Sequence, residues 1–468
     1  MEIVFLGATN TVTGSKFLVK NNSSRLLVDC GLYQGYKHLR LRNRAPLPFE
    51  EENLDAVLLT HAHIDHSGYL PLLVKNGFEG PVYTTEATAD LCEILLPDSG
   101  KIQEEDAAYA NKKGFSKHKP AKPLYTEKDA LNSLKQFESL KYDEDFEPVQ
   151  GVKACFLQAG HILGAAMARL QNSETSLLFS GDLGRRDDPL MYSPAEGHEV
   201  DYLVVESTYG NRTHEDTTPE NALARIINRT VKRDGVTLIP AFAVGRSQAL
   251  LYYLHKLMAA EEIPELSVYL DSPMAVKVTD IFSRRTPIQR MKPDQYQKIN
   301  EMVTYVSSVA DSKALNHKDG PMIIISASGM ASGGRVLHHL KQYAPQEKNT
   351  VLFAGYQAGG TRGAKMLNGA ESVKIHGQYI PVRCEVDFLD NLSAHADKKE
   401  ILQWMKTFKK PPETTFIVHG EPKSTDRMRF AVENSLDFSA RVPEYREKAQ
   451  IGPGGAEFIK PAVPQVHV

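Results

Sequence analysis

The chain has 468 residues, more than one ordinary hydrophobic core encloses, so two or more domains are expected. A net charge of −3 excludes a protein that coats nucleic acid through bulk positive charge, and 41% hydrophobic with 24% charged residues excludes a disordered chain. Four cysteines, none in a C-x-x-C pair, exclude a disulfide framework and a zinc ribbon and fit free thiols in a reducing, cytoplasmic setting.

The opening residues, Met1-Glu2-Ile3-Val4-Phe5-Leu6-Gly7, carry no basic stretch and run directly into strand-like sequence, so no signal peptide is expected. No run of about 18 apolar residues occurs, so no membrane span is expected. Short apolar runs at 2–6, 16–19, 25–29, 55–60, 152–157, 166–170, 176–180 and 200–206 predict strands. Helices are expected over 69–75 and about 86–113. Strands at this density predict stacked sheets with helices outside.

Near residue 210 the rhythm changes. Helix 219–233 leads to strand Val236–Pro240, and helix 246–260 to strand 267–270. Strand 321–326 leads to helix 333–342, and strand 350–354 to helix 361–367 and strand 372–376. That alternation predicts a parallel sheet. Residues 277–317 give no clear pattern. From about 380, ligand-type residues return, with a helix near 398–408 and a strand Thr415–Val418 that ends at His419. The expected division is therefore 1–208, an inserted domain over 209–378, and a return segment over 379–468.

The densest chemical signal is Thr60-His61-Ala62-His63-Ile64-Asp65-His66-Ser67-Gly68. Three imidazoles and a carboxylate lie within six residues, directly after a buried strand. His61 and His63 are two apart, so extended backbone points both to one side. Asp65 and His66 fall where Ser67-Gly68 loosens the chain, so a turn aims them elsewhere. Such a loop supplies two neighbouring metal ions, and imidazole and carboxylate are preferred ligands of Zn²⁺. His161 and Asp182 stand at later strand ends among glycines. A strand-end Asp alone is usually a turn former. Beside this loop, Asp182 suits the bridging anion that two metals need. His419 completes the second metal, and Asp29 reads as orienting a ligand imidazole. Glu206 ends a strand, and a carboxylate bonded to His395 would raise its basicity, fitting His395 to protonate a leaving alkoxide. In the second domain, the turns 240–248 and 326–335 place backbone N–H groups beside Arg246, Ser328 and Arg335. They suit either phosphate contact or simple turn chemistry. The turn 355–363 is a third of this kind. Lysine-rich stretches at 112–122 and 406–410 read as solvated faces, and the remaining histidines carry no assigned chemistry.

His61-Ala-His63-Ile-Asp65-His66, His161 and Asp182 resemble the metal motifs of the metallo-β-lactamase superfamily. Glu206-Ser-Thr-Tyr-Gly, Ser-Ala-His395 and Val-His419-Gly resemble the extra motifs of its β-CASP branch, which contains nucleases of RNA and DNA. Pro-Ala-Phe-Ala-Val-Gly-Arg246, Asp271-Ser-Pro-Met and Ser-Gly329-Met330-Ala-Ser-Gly-Gly-Arg335 are similar to the group around the pre-mRNA 3′-end cleavage endonuclease. The resemblance implies an α/β fold: an αββα sandwich with an inserted β-CASP domain of alternating β/α units on a mainly parallel sheet. It implies His61, His63, His161 and Asp182 on one Zn²⁺ and Asp65, His66, Asp182 and His419 on a second. A histidine at the position of His419 goes with RNA-acting members. Gly359-Gly360-Thr361-Arg362-Gly363 departs from relatives, which tend to show an acidic residue before Gly-Thr and Leu after it. Neither KH modules nor the extension of RNase J are seen, so RNA preference is expected from the cleft itself or from partners. Dimerisation is implied by the resemblance alone.

The expected activity is hydrolysis of single-stranded RNA, endonucleolytic, with 5′-exonuclease action as the variant reading. A hydroxide bridging two Zn²⁺ ions, one pair per chain, would attack phosphorus, with Asp65, His395 and Glu206 serving the chemistry. The rival expectations are a small-molecule ester or lactone hydrolase and a non-catalytic RNA-processing scaffold.

Overall fold

A computed structural model of the chain describes residues 1–114, 118–214, 219–355, 357, 359–389 and 392–460. The chain forms two compact units. The first comprises Met1–Asp188, Tyr192–Thr213 and His395–Val468, and the second Pro189–Met191 and His214–Ala394.

Alternating apolar residues build the first unit. Ile3 and Phe5, Phe17 and Val19, and Leu26 and Val28 recur every second residue, so each strand turns one row inward. Their sheet has eight strands, in the order Gly455–Ile459, Lys448–Gly452, Glu2–Phe5, Phe17–Asn21, Ser24–Val28, Ala56–Leu58, Val82–Thr85 and Phe137–Leu140. A second sheet has seven: Ala440–Arg441, Thr414–Val418, Tyr202–Glu206, Ser176–Phe179, Ala166–Gln171, Val152–Gln158 and Asp145–Val149. The two inner faces share one core. Phe5 meets Phe416 at 5.1 Å between ring centroids, and Phe17 meets Phe179 at 5.5 Å. Each such buried ring stabilises the fold by roughly 2–3 kcal/mol. Helix Glu86–Lys113 packs on the first sheet. It starts at Thr85, whose hydroxyl accepts the Thr88 N–H, and stops at Gly114 with φ 65°.

This sandwich brings strand ends together. Ser176–Phe179, Tyr202–Glu206 and Thr414–Val418 are mutually parallel, so all three finish on the same edge. Asp182, Glu206 and His419 are supplied there. On the other sheet Ser24–Val28 and Ala56–Leu58, also parallel, deliver Asp29 and the histidine loop.

The loop is held from below by backbone. Ser15 N–H donates to Asp65 O, Cys30 N–H to His66 O, and Leu32 N–H to Ile64 O, at 2.7–2.9 Å. Gly31 lies so close that a Cβ there would come 1.6 Å from Asp65 O. Gly31→Ala must therefore displace the ligand loop. The expected loss is about 3 kcal/mol of unfolding free energy, the upper end of overpacking, read by urea denaturation.

The main sheet of the second unit has six strands among the described residues, all parallel, in the order Val303–Tyr305, Ser267–Asp271, Met322–Ser326, Val236–Pro240, Thr350–Ala354 and Glu385–Leu389. Here the chain differs from the expected pattern. Ser372–Ile375 is not part of this sheet. It pairs antiparallel with Gln378–Pro381, across a tight turn at His376-Gly377 where both φ angles are positive. Glu385–Leu389 fills the expected parallel position beside Thr350–Ala354. The first unit resumes at His395.

Candidate metal centre

Each site residue is aimed by the strand end that carries it. His61 follows strand Ala56–Leu58 by three residues, and Ile64–Ser67 then forms one short helical turn. That turn carries Asp65 and His66 toward a second cluster, while the His66 ring stays 4.0 Å from that of His61. Asp29 and His419 both hold left-handed backbone, with φ 59° and 50°. Strain of this kind in non-glycine residues concentrates at functional sites.

The side chains form two adjoining clusters. In the first, His63 Nδ1 lies 3.2 Å from both His61 Nε2 and His161 Nε2. Asp182 Oδ2 is 3.4 Å from His61 Nε2 and 3.6 Å from His161 Nε2. In the second, His66 Nε2 and His419 Nε2 are 3.2 Å apart, with Asp65 Oδ2 3.4 Å from His419 Nε2. Asp182 Oδ1 adjoins it, 3.3 Å from His66 Nε2 and 3.6 Å from the other nitrogen of His419, Nδ1. Asp182 thus gives one oxygen to each cluster.

These separations test the fit to metal directly. Four ligands about 2.0–2.1 Å from a tetrahedral ion lie about 3.3 Å from one another. The observed nitrogen–oxygen and nitrogen–nitrogen spacings cluster around that figure. Asp182 Oδ1 is also buried without a hydrogen-bond partner, which an oxygen facing a cation site would be. Both clusters could hold a metal ion.

The protonation pattern agrees. Burial lowers the pKa of His61, His63 and His161, that of His63 to about 3, so the first cluster presents neutral imidazoles. Burial opposes ionisation of Asp182, yet the surrounding imidazoles hold it well below the usual carboxylate range. His66 is the exception. Burial disfavours its charged form, but Asp182 and Asp29 outweigh that and raise it well above normal.

Second contacts orient the ligands. His66 Nδ1 donates to Asp29 Oδ2 at 2.7 Å, and Asp29 Oδ1 accepts both the N–H and the hydroxyl of Thr60 at 2.9 Å. Thr208 Oγ1 lies 3.1 Å from His419 Nδ1. Beside the clusters, His395 Nδ1 is 3.1 Å from Glu206 Oε1. Glu206 is fully buried, and its carboxylate also accepts the N–H groups of Leu183 and Thr208. Burial pulls the His395 pKa down, but Glu206 and Asp182 raise it to about 9.

Residues 11–216 match the metallo-beta-lactamase superfamily, 247–366 the Beta-Casp domain, and 379–443 the Zn-dependent metallo-hydrolase RNA specificity domain. Ribonuclease TTHA0252 of Thermus thermophilus is 36% identical, over 90% of this chain and 93% of its own length. The chain belongs to the β-CASP branch of the metallo-β-lactamase superfamily. Transcription termination factor FttA of Methanocaldococcus jannaschii is 32% identical, over 98% of this β-CASP chain and 72% of its own length. A crystal structure of a protein of unknown function from Enterococcus faecalis V583 shares the fold, with TM-score 0.52 at 15% identity, covering 96% of this chain and 99% of its own.

All ten residues expected at the centre of this β-CASP protein meet there: Asp29, His61, His63, Asp65, His66, His161, Asp182, Glu206, His395 and His419. The three expected phosphate contacts lie in the second unit. Arg335 departs from that expectation. Its Nη1 grips the buried Asp271 Oδ1 at 2.7 Å and Val306 O at 3.1 Å, and Nη2 donates to Ser307 O at 2.6 Å. Asp271 is further bonded to His339 and Ser312, so Arg335 serves a buried polar network. Arg246 is buried, and Ser328 Oγ accepts the Ser332 N–H at 3.2 Å. Tyr356 and Ala358 of the third turn, residues 115–117 of the first lysine-rich stretch and His467 lie outside the described residues. Thr60 and Thr208 carry no expected role in sequence. Their signal is adjacency, each lying within two residues of a ligand or of Glu206.

Proposed function

We propose that this protein is a two-zinc ribonuclease that cuts single-stranded RNA endonucleolytically. The observation that carries the reading is Asp182, shared between two ligand clusters, with the His395–Glu206 pair beside it. His61, His63, His161 and Asp182 would hold one ion, and Asp65, His66, Asp182 and His419 the other. The ions supply Lewis acidity: an activated water nucleophile and neutralisation of charge on the phosphate. RNA as substrate is supported by the relative named a ribonuclease, by the matched RNA specificity domain, and by a histidine at position 419.

The chain's own groups complete the chemistry. Asp65, held ionised by its bond with His419, orients an attacking water by accepting its proton. Glu206 and Asp182, which outweigh burial, favour the protonated form of His395. Its Nδ1–H is committed to Glu206, so Nε2–H is the proton handed to the leaving 3′-oxygen. Glu206 fixes the ring and stabilises its charge. The products then carry 5′-phosphate and 3′-hydroxyl ends. Four free cysteines fit a cytoplasmic enzyme, and no helix among the described residues is long and apolar enough to cross a membrane.

End-group analysis tests this. Zinc-loaded protein acting on labelled RNA should leave internal fragments with 5′-phosphates. Ends bearing 2′,3′-cyclic phosphate would make the RNA's own 2′-hydroxyl the nucleophile and contradict the mechanism. Mononucleotides from the outset would replace endonuclease with exonuclease. Asp29→Ala leaves His66 without its anchor, and a 10–100-fold loss of zinc affinity is expected, measured by competition with a chromophoric chelator.

A further inference from the structure

The first unit bears a basic and aromatic ledge that the metal chemistry does not use. Its sequence is Tyr36-Lys37-His38-Leu39-Arg40-Leu41-Arg42-Asn43-Arg44, with four permanent cations and no acid in nine residues. Residues Lys37–Arg42 form a short helix that buries only Leu39. Lys37, His38 and Arg40 are exposed, and neither Lys37 nor Arg40 has an ion-pair partner among the described residues. Tyr36 is 52% exposed and stacks on His38, with ring centroids 5.7 Å apart and planes 19° apart. Arg42 sits 4.1 Å over the Tyr445 ring, and Arg446 lies over the same ring at 5.3 Å, extending the positive charge.

The ledge is built, and it is tethered to the metal loop. Asn43 clamps Tyr33 through both backbone groups, accepting its N–H at 2.9 Å and donating to its carbonyl at 2.8 Å. The neighbouring Leu32 N–H donates to Ile64 O, inside the ligand loop. From Leu32 to Tyr36 is four residues, at most about 14 Å of chain. Cations on this short helix and the turn after it, with an exposed ring beside them, match the phosphates and bases of single-stranded nucleic acid. An overall charge of −3 makes such a local concentration of cations the more telling.

We propose that this ledge, Tyr36 to Arg44 with Arg446, is a tracking surface for single-stranded RNA beyond the scissile phosphate. Lys37 and Arg40 contact phosphates and Tyr36 stacks on a base. The proposal rests on the ribonuclease reading, and it adds a determinant of substrate length.

The test is the affinity of a 5′-fluorescein 20-nucleotide RNA, read by anisotropy at several salt concentrations in the His395→Ala background so that the strand stays intact. Losing two phosphate contacts should raise Kd about tenfold near 0.15 M salt in the K37Q/R40Q variant. It should also flatten the slope of log Kd against log salt by about 1.4. The charge-conserving K37R/R40K variant should keep the parent slope. Tyr36→Ala should weaken binding about 5–100-fold with the slope unchanged. A K37Q/R40Q variant with the parent Kd and slope, beside wild-type protein that cuts RNA, would overturn the ledge and leave the ribonuclease reading standing. Wild-type protein that neither binds nor cuts RNA would overturn both.

Discussion

Asp182→Ala is expected to remove metal from both clusters at once and to lower RNA turnover by at least about 10³-fold. Its two carboxylate oxygens face different ligand sets, Oδ2 toward His61 and His161 and Oδ1 toward His66 and His419. Either ion would lose a charged ligand, and several kcal/mol of transition-state stabilisation would go with it. The residue is buried, so water cannot readily replace the missing carboxylate without opening the site. Metal analysis of the dialysed variant should give well under one ion per chain. Asp182→Asn preserves the shape but not the charge and should behave alike. Two tightly held ions in either variant would show that Asp182 is not shared between them.

The second large effect is at His395. Its removal is expected to leave zinc content near wild type while turnover falls about 10²–10⁴-fold, the usual range for loss of a general acid. The reason is geometric: the Nδ1 edge is turned toward Glu206 at 3.1 Å, against 3.9 Å to Asp182. A leaving group of low pKa needs no proton, so an RNA analogue with a thiolate leaving group should recover much of the loss. Loss of zinc together with activity would instead make His395 a ligand. The same pair gives the metal-free protein a pH signature. The His395 pKa is raised from 6.5 to about 9 in the fold. Its contribution to stability is therefore complete below pH 6.5 and disappears as pH rises through 9. Thermal unfolding in chelator should weaken across that window, and His395→Ala should flatten the change.

Much of this site is legible in the sequence because its ligands are local or punctuated. His61, His63, Asp65 and His66 fall within six residues, and Asp182, Glu206 and His419 each close an apolar run. The density of short apolar runs between residues 2 and 206 also announces the stacked sheets. What escapes is set by distant partners. Arg335 stands at a glycine-rich turn that suits phosphate, and nothing nearby announces that Asp271, 64 positions away, takes its guanidinium. Glu385–Leu389 alternates acid and apolar residues, because Arg229 and Arg233 pair with Glu385 and Arg229 with Asp387, so it does not read as a buried parallel strand. Ser372–Ile375 reads as the next strand of the sheet, and only the left-handed backbone at His376-Gly377 folds it into a hairpin. The helical turn Ile64–Ser67 is too short for any periodicity to show.

The most direct test sets zinc-loaded protein against end-labelled single-stranded RNA and DNA of matched sequence, with Asp182→Ala alongside. Cleavage of RNA into internal fragments, absent for DNA and absent in the variant, is the predicted result. Well-metallated protein that leaves the RNA intact, or a variant that cuts it as fast as wild type, would contradict the account.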